Sequence, residues 1–514
     1  MGRNIYYISG RLGNDSNDGS FEKPFRSLSM LETLNLQAGD EIRLECESVF
    51  KGQSLHLKNS VGSPEEPIII SNYGEGKLPV IEANGSGLWY QNYGDPLDSP
   101  CHVWKGYVSS AVLLYDCEYI QIKGLEITNE PKILGEAYNQ ADKMSRTGVA
   151  VVAQNKGTLH NIEISDCYIH DVKGNVYDKH LNNGGIYCTA LKPEKEHASI
   201  ARYDGLHIHH CVVENCSRWG IAACYTYTHP FFTTALLDDE IVKHYGHTNV
   251  VLEHNYLKSI GGDGITTMYC FRPLIQYNVA EDIANEINDA VYTQQGTRGG
   301  KTAAAIWPWK CKDALFQYNE AYHTCENQDG QAWDADSGDG TIYQFNYSYN
   351  NGGGCVMFCL EESINNIFRY NISVFDKGGV INPVRNPDAH IYGNIFIMAP
   401  DVPFIRDQMS GGHMLVENNL IYNTGEQAVA GDWFHQTEYA RYHRNIYYNY
   451  LDYPENDSEP IKVKFLEKVL INPLGGPKDT DGKTHEIDAF LELMPTERFA
   501  DEKIVKIFKR DENT

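Results

Sequence analysis

Residues 314–319 read ALFQYN and residues 341–346 read TIYQFN, and the asparagine closing each phrase returns through the second half of the chain. It stands at Asn255 (EHN), Asn278 (QYN), Asn319, Asn346, Asn371 (RYN), Asn394 (GNI), Asn419 (ENNL) and Asn445 (HRNI). The successive gaps are 23, 41, 27, 25, 23, 25 and 26 residues. Upstream, Cys211 in HIHHC and Cys167 in EISDC hold the same slot, each 44 residues before the next. A period of about 20–50 residues marks stacked repeats, none of which can bury its apolar face alone. Each asparagine closes a run of alternating β-branched and aromatic residues, and a second short apolar run follows, as in GIAAC, AAIWPW, AWDAD and CVMFC. That is a strand-and-turn pattern without helical periodicity. The expected fold is all-β: a single-stranded parallel β-helix whose stacked asparagines bond from rung to rung.

The chain has 514 residues, 42% hydrophobic and 22% charged, with a formal charge of −26. This is a globular composition. The acidic balance argues against nucleic acid and anionic membranes as partners. No run reaches the roughly 18–20 apolar residues of a membrane span. The 13 cysteines lie without a CxxC spacing, in apolar strand contexts. They read as buried free thiols of a reducing compartment, so the expected location is cytoplasmic. The sequence leaves open whether the chain forms a homo-oligomer.

Residues 1–80 read as an N-terminal cap with the first coils, 81–473 as the β-helix, and 474–514 as a charged tail. Within that tail IDAFLELM and DEKIVKIFK could form helices over the last rung. The irregular gaps locate insertions: between Cys167 and Cys211, at residues 225–248, and at residues 293–303. Long loops on a rigid scaffold are where binding sites are built.

The densest acidic phrase is GQAWDADSGDG, with Asp334, Asp336 and Asp339. In a strand, Asp334 and Asp336 share one face. Buried without partners they would cost several kcal/mol, so they are expected to face outward into a groove. The next coil carries Glu361 and Glu362. Asp334 is 15 residues after Asn319 and Glu361 is 15 after Asn346, which would stack them near the separation of about 5–5.5 Å used by retaining glycosidases. Aligning the coils on Gly330 and Gly354 instead sets Asp334 opposite Phe358 and brings Glu361 nearer Asp336. The candidate catalytic set is therefore Asp334, Glu361 and Asp336. Trp307, Trp309 and Trp333 are candidate sugar platforms, and Arg385 and Arg406 candidate hydroxyl or carboxylate ligands. Asp263, Asp15 and Asp18 read as turn residues. In HIHHC, alternation sends His207 and His209 to one face and His210 to the other, which is poor support for zinc. No metal is assigned. A calcium site built from Asp334, Asp336 and Glu361 is the alternative, although Phe345 at loop position twelve excludes an EF-hand.

The opening IYYISGRLGNDSNDGSFEKPFRSL, followed by AGDEIRL, resembles right-handed parallel β-helix carbohydrate-active enzymes, a pectate-lyase-like solenoid, over residues 4 to about 475. GQAWDADSGDGTIYQFNYSYNN is most similar to the β-helix glycoside hydrolases, above all the β-xylosidases of family 120, with the fucosidases and xylanases of family 141 alike in kind. The resemblance implies Asp334 as nucleophile. The slot of the family's acid/base glutamate holds Phe358, with Glu361 the nearest carboxylate, and residues 82–112 have no room for that family's inserted β-sandwich. The expected function is an exo-acting intracellular glycosidase on short oligosaccharides. A polysaccharide lyase or uronate epimerase, and a non-catalytic carbohydrate-binding protein, are the alternatives.

Overall fold

The structure is a computed structural model that describes residues 3–98, 102–130, 144–195, 197–287, 298–386, 388–406, 413–433, 440–463, 469–471 and 485–487. The chain winds as a right-handed parallel β-helix with three long sheets of 15, 14 and 11 strands. The first sheet starts at Ile5–Ile8, the second at Val49–Lys51 and the third at Leu55–Lys58. Each coil contributes one strand to each sheet where all three are present.

Strand alternation sends every second side chain of a rung into the coil, where it stacks on its counterpart in the next rung. One inner column of the first sheet runs Ile42, Ile70, Ile122, Ile164, Ile208, Leu252, Ile275, then Phe316, Tyr343, Phe368, then Ile391 and Val416. All of these are fully buried. Each contributes about 1.5–3 kcal/mol of apolar burial. No rung could secure this alone, because its partners are supplied by the coils above and below.

The asparagine ladder forms as the sequence implies. Asn278 donates its backbone and side-chain N–H groups to Asn319 Oδ1 at 3.0 and 2.9 Å, and Asn319 does the same to Asn346 Oδ1 at 2.9 and 3.1 Å. The remaining amide proton of each goes to a backbone carbonyl inside the coil, for Asn319 that of Ile275 at 2.9 Å. Cys211 enters the ladder through its backbone N–H on Asn255 Oδ1, and Asp457 closes it beyond Asn445.

The second insertion contains a helix, Asp239–Tyr245, that the strand pattern did not lead one to expect. Asp238 caps it by accepting from the backbone N–H groups of Glu240 and Ile241. In the expected tail, Ile487 belongs to the strand His485–Ile487, antiparallel to Val469–Ile471, instead of opening a helix. The rest of the tail, with DEKIVKIFK, lies outside the described residues.

Candidate active site

The site lies on the outer face of the third sheet. Its strands are β1 (Gly184–Ala190), β2 (Trp219–Thr226), β3 (Ile265–Met268), β4 (Ile306–Trp309), β5 (Gln331–Asp336), β6 (Gly354–Cys359) and β7 (Ile381–Val384). In β5, Trp333 and Ala335 join the interior while Asp334 and Asp336 point outward. Ile306 pairs with Trp333 and Trp309 with Asp336, which sets Trp307 beside Asp334.

Neither expected register holds. Asp334 stands opposite Met357, and Asp336 opposite Cys359. Gly354 pairs with Gln331 rather than Gly330, because the three glycines 352–354 close the corner with an extra residue: Gly353 donates to the Gly330 carbonyl, and Gly354 has φ +119. Glu361 therefore falls in the turn beyond β6, 62% exposed and 3.7 Å from Arg385, and is not stacked on Asp334. Glu362 pairs with Lys310.

The outward carboxylates do not face an open groove. Asp334 and Asp336 are 2% and 7% exposed under the inserted loops. Asp339 helps to hold one loop in place, taking the backbone N–H of Leu237 at 3.1 Å and the Lys312 ammonium at 2.6 Å. The third carboxyl group of the cluster is Asp329, half-buried just ahead of Gly330. It is not among the candidates taken from the sequence, because it lies outside the alternating strand phrase, in the turn before it. Asp263, expected as a turn residue, is instead fully buried, paired with Arg218, and accepts from Trp307 Nε1 at 3.0 Å and the Ala304 N–H at 3.1 Å. Arg218 also holds the carbonyls of Val176, Gly300 and Thr302, which ties two inserted loops to the sheet.

Lys179 reaches in from the first insertion. Its ammonium donates to Thr302 Oγ1 at 2.9 Å and lies 5.7 Å from the centroid of the Trp307 ring. Trp307 is 5% exposed and Trp309 half-buried, with its Nε1 on the Tyr269 hydroxyl at 3.1 Å. Trp333 is fully buried among core residues, so it offers no face to a ligand. Arg385 is exposed and paired with Glu361. Arg406 continues the outward column past Asn382, two rungs beyond Met357.

Burial dominates the charge state of the cluster. It pushes the Asp334 carboxyl well above the ordinary range, and Asp336 and Asp329 add to the rise. Asp336 is raised to about 7 by burial, against the Ser337 hydroxyl it accepts from at 2.7 Å. Asp329 is raised by burial to about 6, held down by Lys179. One Asp334 oxygen, Oδ1, is sealed with no hydrogen-bond partner. Such a cluster can offer a protonated carboxylic acid beside an ionised carboxylate at near-neutral pH.

His207 and His209 do share a face, each against a glutamate (Glu253 and Glu163). His210 adopts φ +53, which breaks the alternation and turns its ring against His209, 2.7 Å between Nδ1 atoms. Among the described residues no cluster of His, Cys, Asp and Glu has metal-binding geometry. A groove of about 1180 Å³ lies between the first and second sheets near Arg43, Lys77 and His170. Two of its carboxylates are neutralised locally, Glu41 by Arg43 and Glu126 by His170.

No protein-family model matches the chain. Over 92% of its length it is 39% identical to a lacto-N-biosidase of Bifidobacterium longum subsp. longum, of which it covers 32%; the chain spans about a third of that curated relative. It is similar to the crystal structures of a GH136 lacto-N-biosidase from Eubacterium ramulus, native and selenomethionine derivative. Each is 54% identical, with a TM-score of 0.79, over 81% of this chain and 67% of the other.

Proposed function

This chain belongs to the GH136 family of glycoside hydrolases, and not to family 120 or 141, and from that premise we propose that it removes a disaccharide unit from oligosaccharides as a lacto-N-biosidase. The observation that carries the reading is the carboxyl cluster of Asp329, Asp334 and Asp336 on the covered outer face of the third sheet, beside Trp307 and Trp309. The names of the relatives favour this specificity over a β-xylosidase.

In the proposed reaction Asp336 is the general acid. Its carboxyl holds a proton near neutrality and retains some exposure, so it can protonate the leaving glycosidic oxygen. Asp329 is the carboxylate: it is the most accessible of the three, ionised above about pH 6, and meets the oxocarbenium-like centre as nucleophile or as base for a water. Asp334 touches no substrate in this scheme. Its sealed oxygen and high proton affinity suit a neutral group packed behind Asp336. Trp309 supplies an aromatic face for a sugar ring.

A lyase or epimerase needs a free base beside a neutralised uronate. Arg218 is locked to Asp263, Lys179 is held by Thr302, and the carboxyl groups outnumber the cations, which supports hydrolysis instead. The test is release of 4-nitrophenol from 4-nitrophenyl lacto-N-bioside. Turnover by the wild type that falls at least 100-fold in both Asp336→Asn and Asp329→Asn supports the reading. No turnover of that glycoside together with turnover of a 4-nitrophenyl xyloside would sink it.

A further inference from the structure

Arg218 is paired with Asp263, Lys310 with Glu362 and Lys312 with Asp339. Lys179, which Asp329, Asp334 and Asp336 all face, has no carboxylate at ion-pair distance among the described residues and is held instead by Thr302 Oγ1 at 2.9 Å. Asp329, Asp334 and Asp336 are likewise carboxyl groups without an ion-pair partner there. One cation faces three acids in a covered pocket, where an uncompensated charge is expensive. With Asp334 sealed and neutral, the single positive charge can offset one carboxylate, and the other acid must keep its proton.

We propose that Lys179 is a positioning residue: its ammonium, fixed by Thr302 over Trp307, holds Asp329 in the ionised state while Asp336 retains its proton, so that the two enter the reaction in opposite states. This rests on the hydrolase reading above. The lysine backbone is fixed as firmly as its head, since its carbonyl accepts from Trp219 Nε1 at 3.0 Å and the Tyr187 hydroxyl at 3.1 Å. The titratable and charged groups facing Lys179 are Asp263, Arg218, Asp329, Asp334, Asp336 and His180; burial lowers its proton affinity and the carboxyl groups work against that. Those facing Asp329 are Lys179, Asp263, Arg218, Asp334 and Asp336. Asp336 faces Asp329, Lys179, Lys310 and Asp334. Lys179 is thus the one cation not already claimed that both acids see.

The test is the pH dependence of kcat/KM on the same chromogenic disaccharide. In Lys179→Met the acidic limb, set by ionisation of Asp329, moves up by about 1 pH unit or more, the effect of losing one opposite charge. The basic limb moves less, the profile narrows, and kcat falls more than KM rises. Lys179→Arg keeps the acidic limb within about 0.3 pH units of wild type. Thr302→Val leaves the lysine in place but frees its head, and moves the acidic limb in the same direction by less. An acidic limb unmoved in Thr302→Val or Lys179→Met, or two limbs moving equally, overturns the assignment. A wild type without activity overturns the hydrolase reading instead.

Discussion

Asp334 and Asp336 leave the same face of one strand two residues apart, yet Asp334 Oδ1 is sealed without a partner while Asp336 Oδ1 accepts from the Ser337 hydroxyl at 2.7 Å. Equivalent positions in sequence thus become unequal groups in the folded chain. The strand face puts both in the pocket, and the loops above decide which can be reached.

The first expectation concerns that inequality. Asp336→Asn and Asp329→Asn each lower kcat by about 10²–10⁴, the range for a lost acid or base. Glu361→Gln, on an exposed turn and paired with Arg385, leaves kcat and KM within about twofold. Steady-state kinetics on the chromogenic disaccharide checks all three. A large loss in Glu361→Gln would restore the pair expected from the ladder count.

The pH profile follows from the same groups. Burial raises Asp329 to about 6 and Asp336 to about 7. Activity requires the first ionised and the second protonated, so kcat/KM rises through about pH 6, falls through about pH 7, and peaks between. A profile that stays flat from pH 5 to 8 contradicts these roles.

Stability should respond in the opposite sense from a salt-bridged acid. The folded chain holds the Asp334 proton more tightly than the unfolded chain does, so between the two titrations the folded state binds more protons. Stability therefore falls as pH rises above about 4, the unfolded value, and through the window up to the folded titration. Asp334→Asn removes this loss. Its Tm relative to wild type is higher at pH 8 than at pH 4.5, as differential scanning fluorimetry at the two pH values will show.

The tryptophans separate by face. Trp333→Ala opens the core and costs about 3–5 kcal/mol of stability. Trp309→Ala, at the pocket, raises KM several-fold with a small change in Tm. Equal melting losses in the two variants would mean that Trp309 only packs.

Asn319→Ala breaks the ladder at a fully buried rung. It strands the two N–H groups of Asn278, at a cost of about 1–3 kcal/mol for each buried donor left unpaired. Urea denaturation gives the value, and a change below about 0.5 kcal/mol would deny the ladder its role.

The period of Asn255 to Asn445 was enough to read the coil, because stacking makes one residue per rung meet the same constraint repeatedly. Alternation in QAWDAD was likewise enough to send Asp334 and Asp336 outward. What one sequence could not supply was the register between coils. The corner from Asn319 to the β5 strand takes 12 residues to Gln331, and that from Asn346 takes 8 to its partner Gly354, so counting from the ladder slides by four residues. Asp263, Asp329 and Lys179 sit in phrases that look like turns or inserted loop, and nothing local marks them.

The sequence by itself determined the scaffold, the outward face and the neighbourhood of the acids, since each follows from a short-range period of two or a repeat near 25. Only the tertiary structure decided which acid is sealed, which is exposed, and which cation faces them. Those properties come from loops separated by more than a hundred residues closing over one sheet face, as Lys179 and Thr302 do across 123 positions. Burial sets the cost of charge there, and burial is a property of the assembled pocket, not of any stretch of chain.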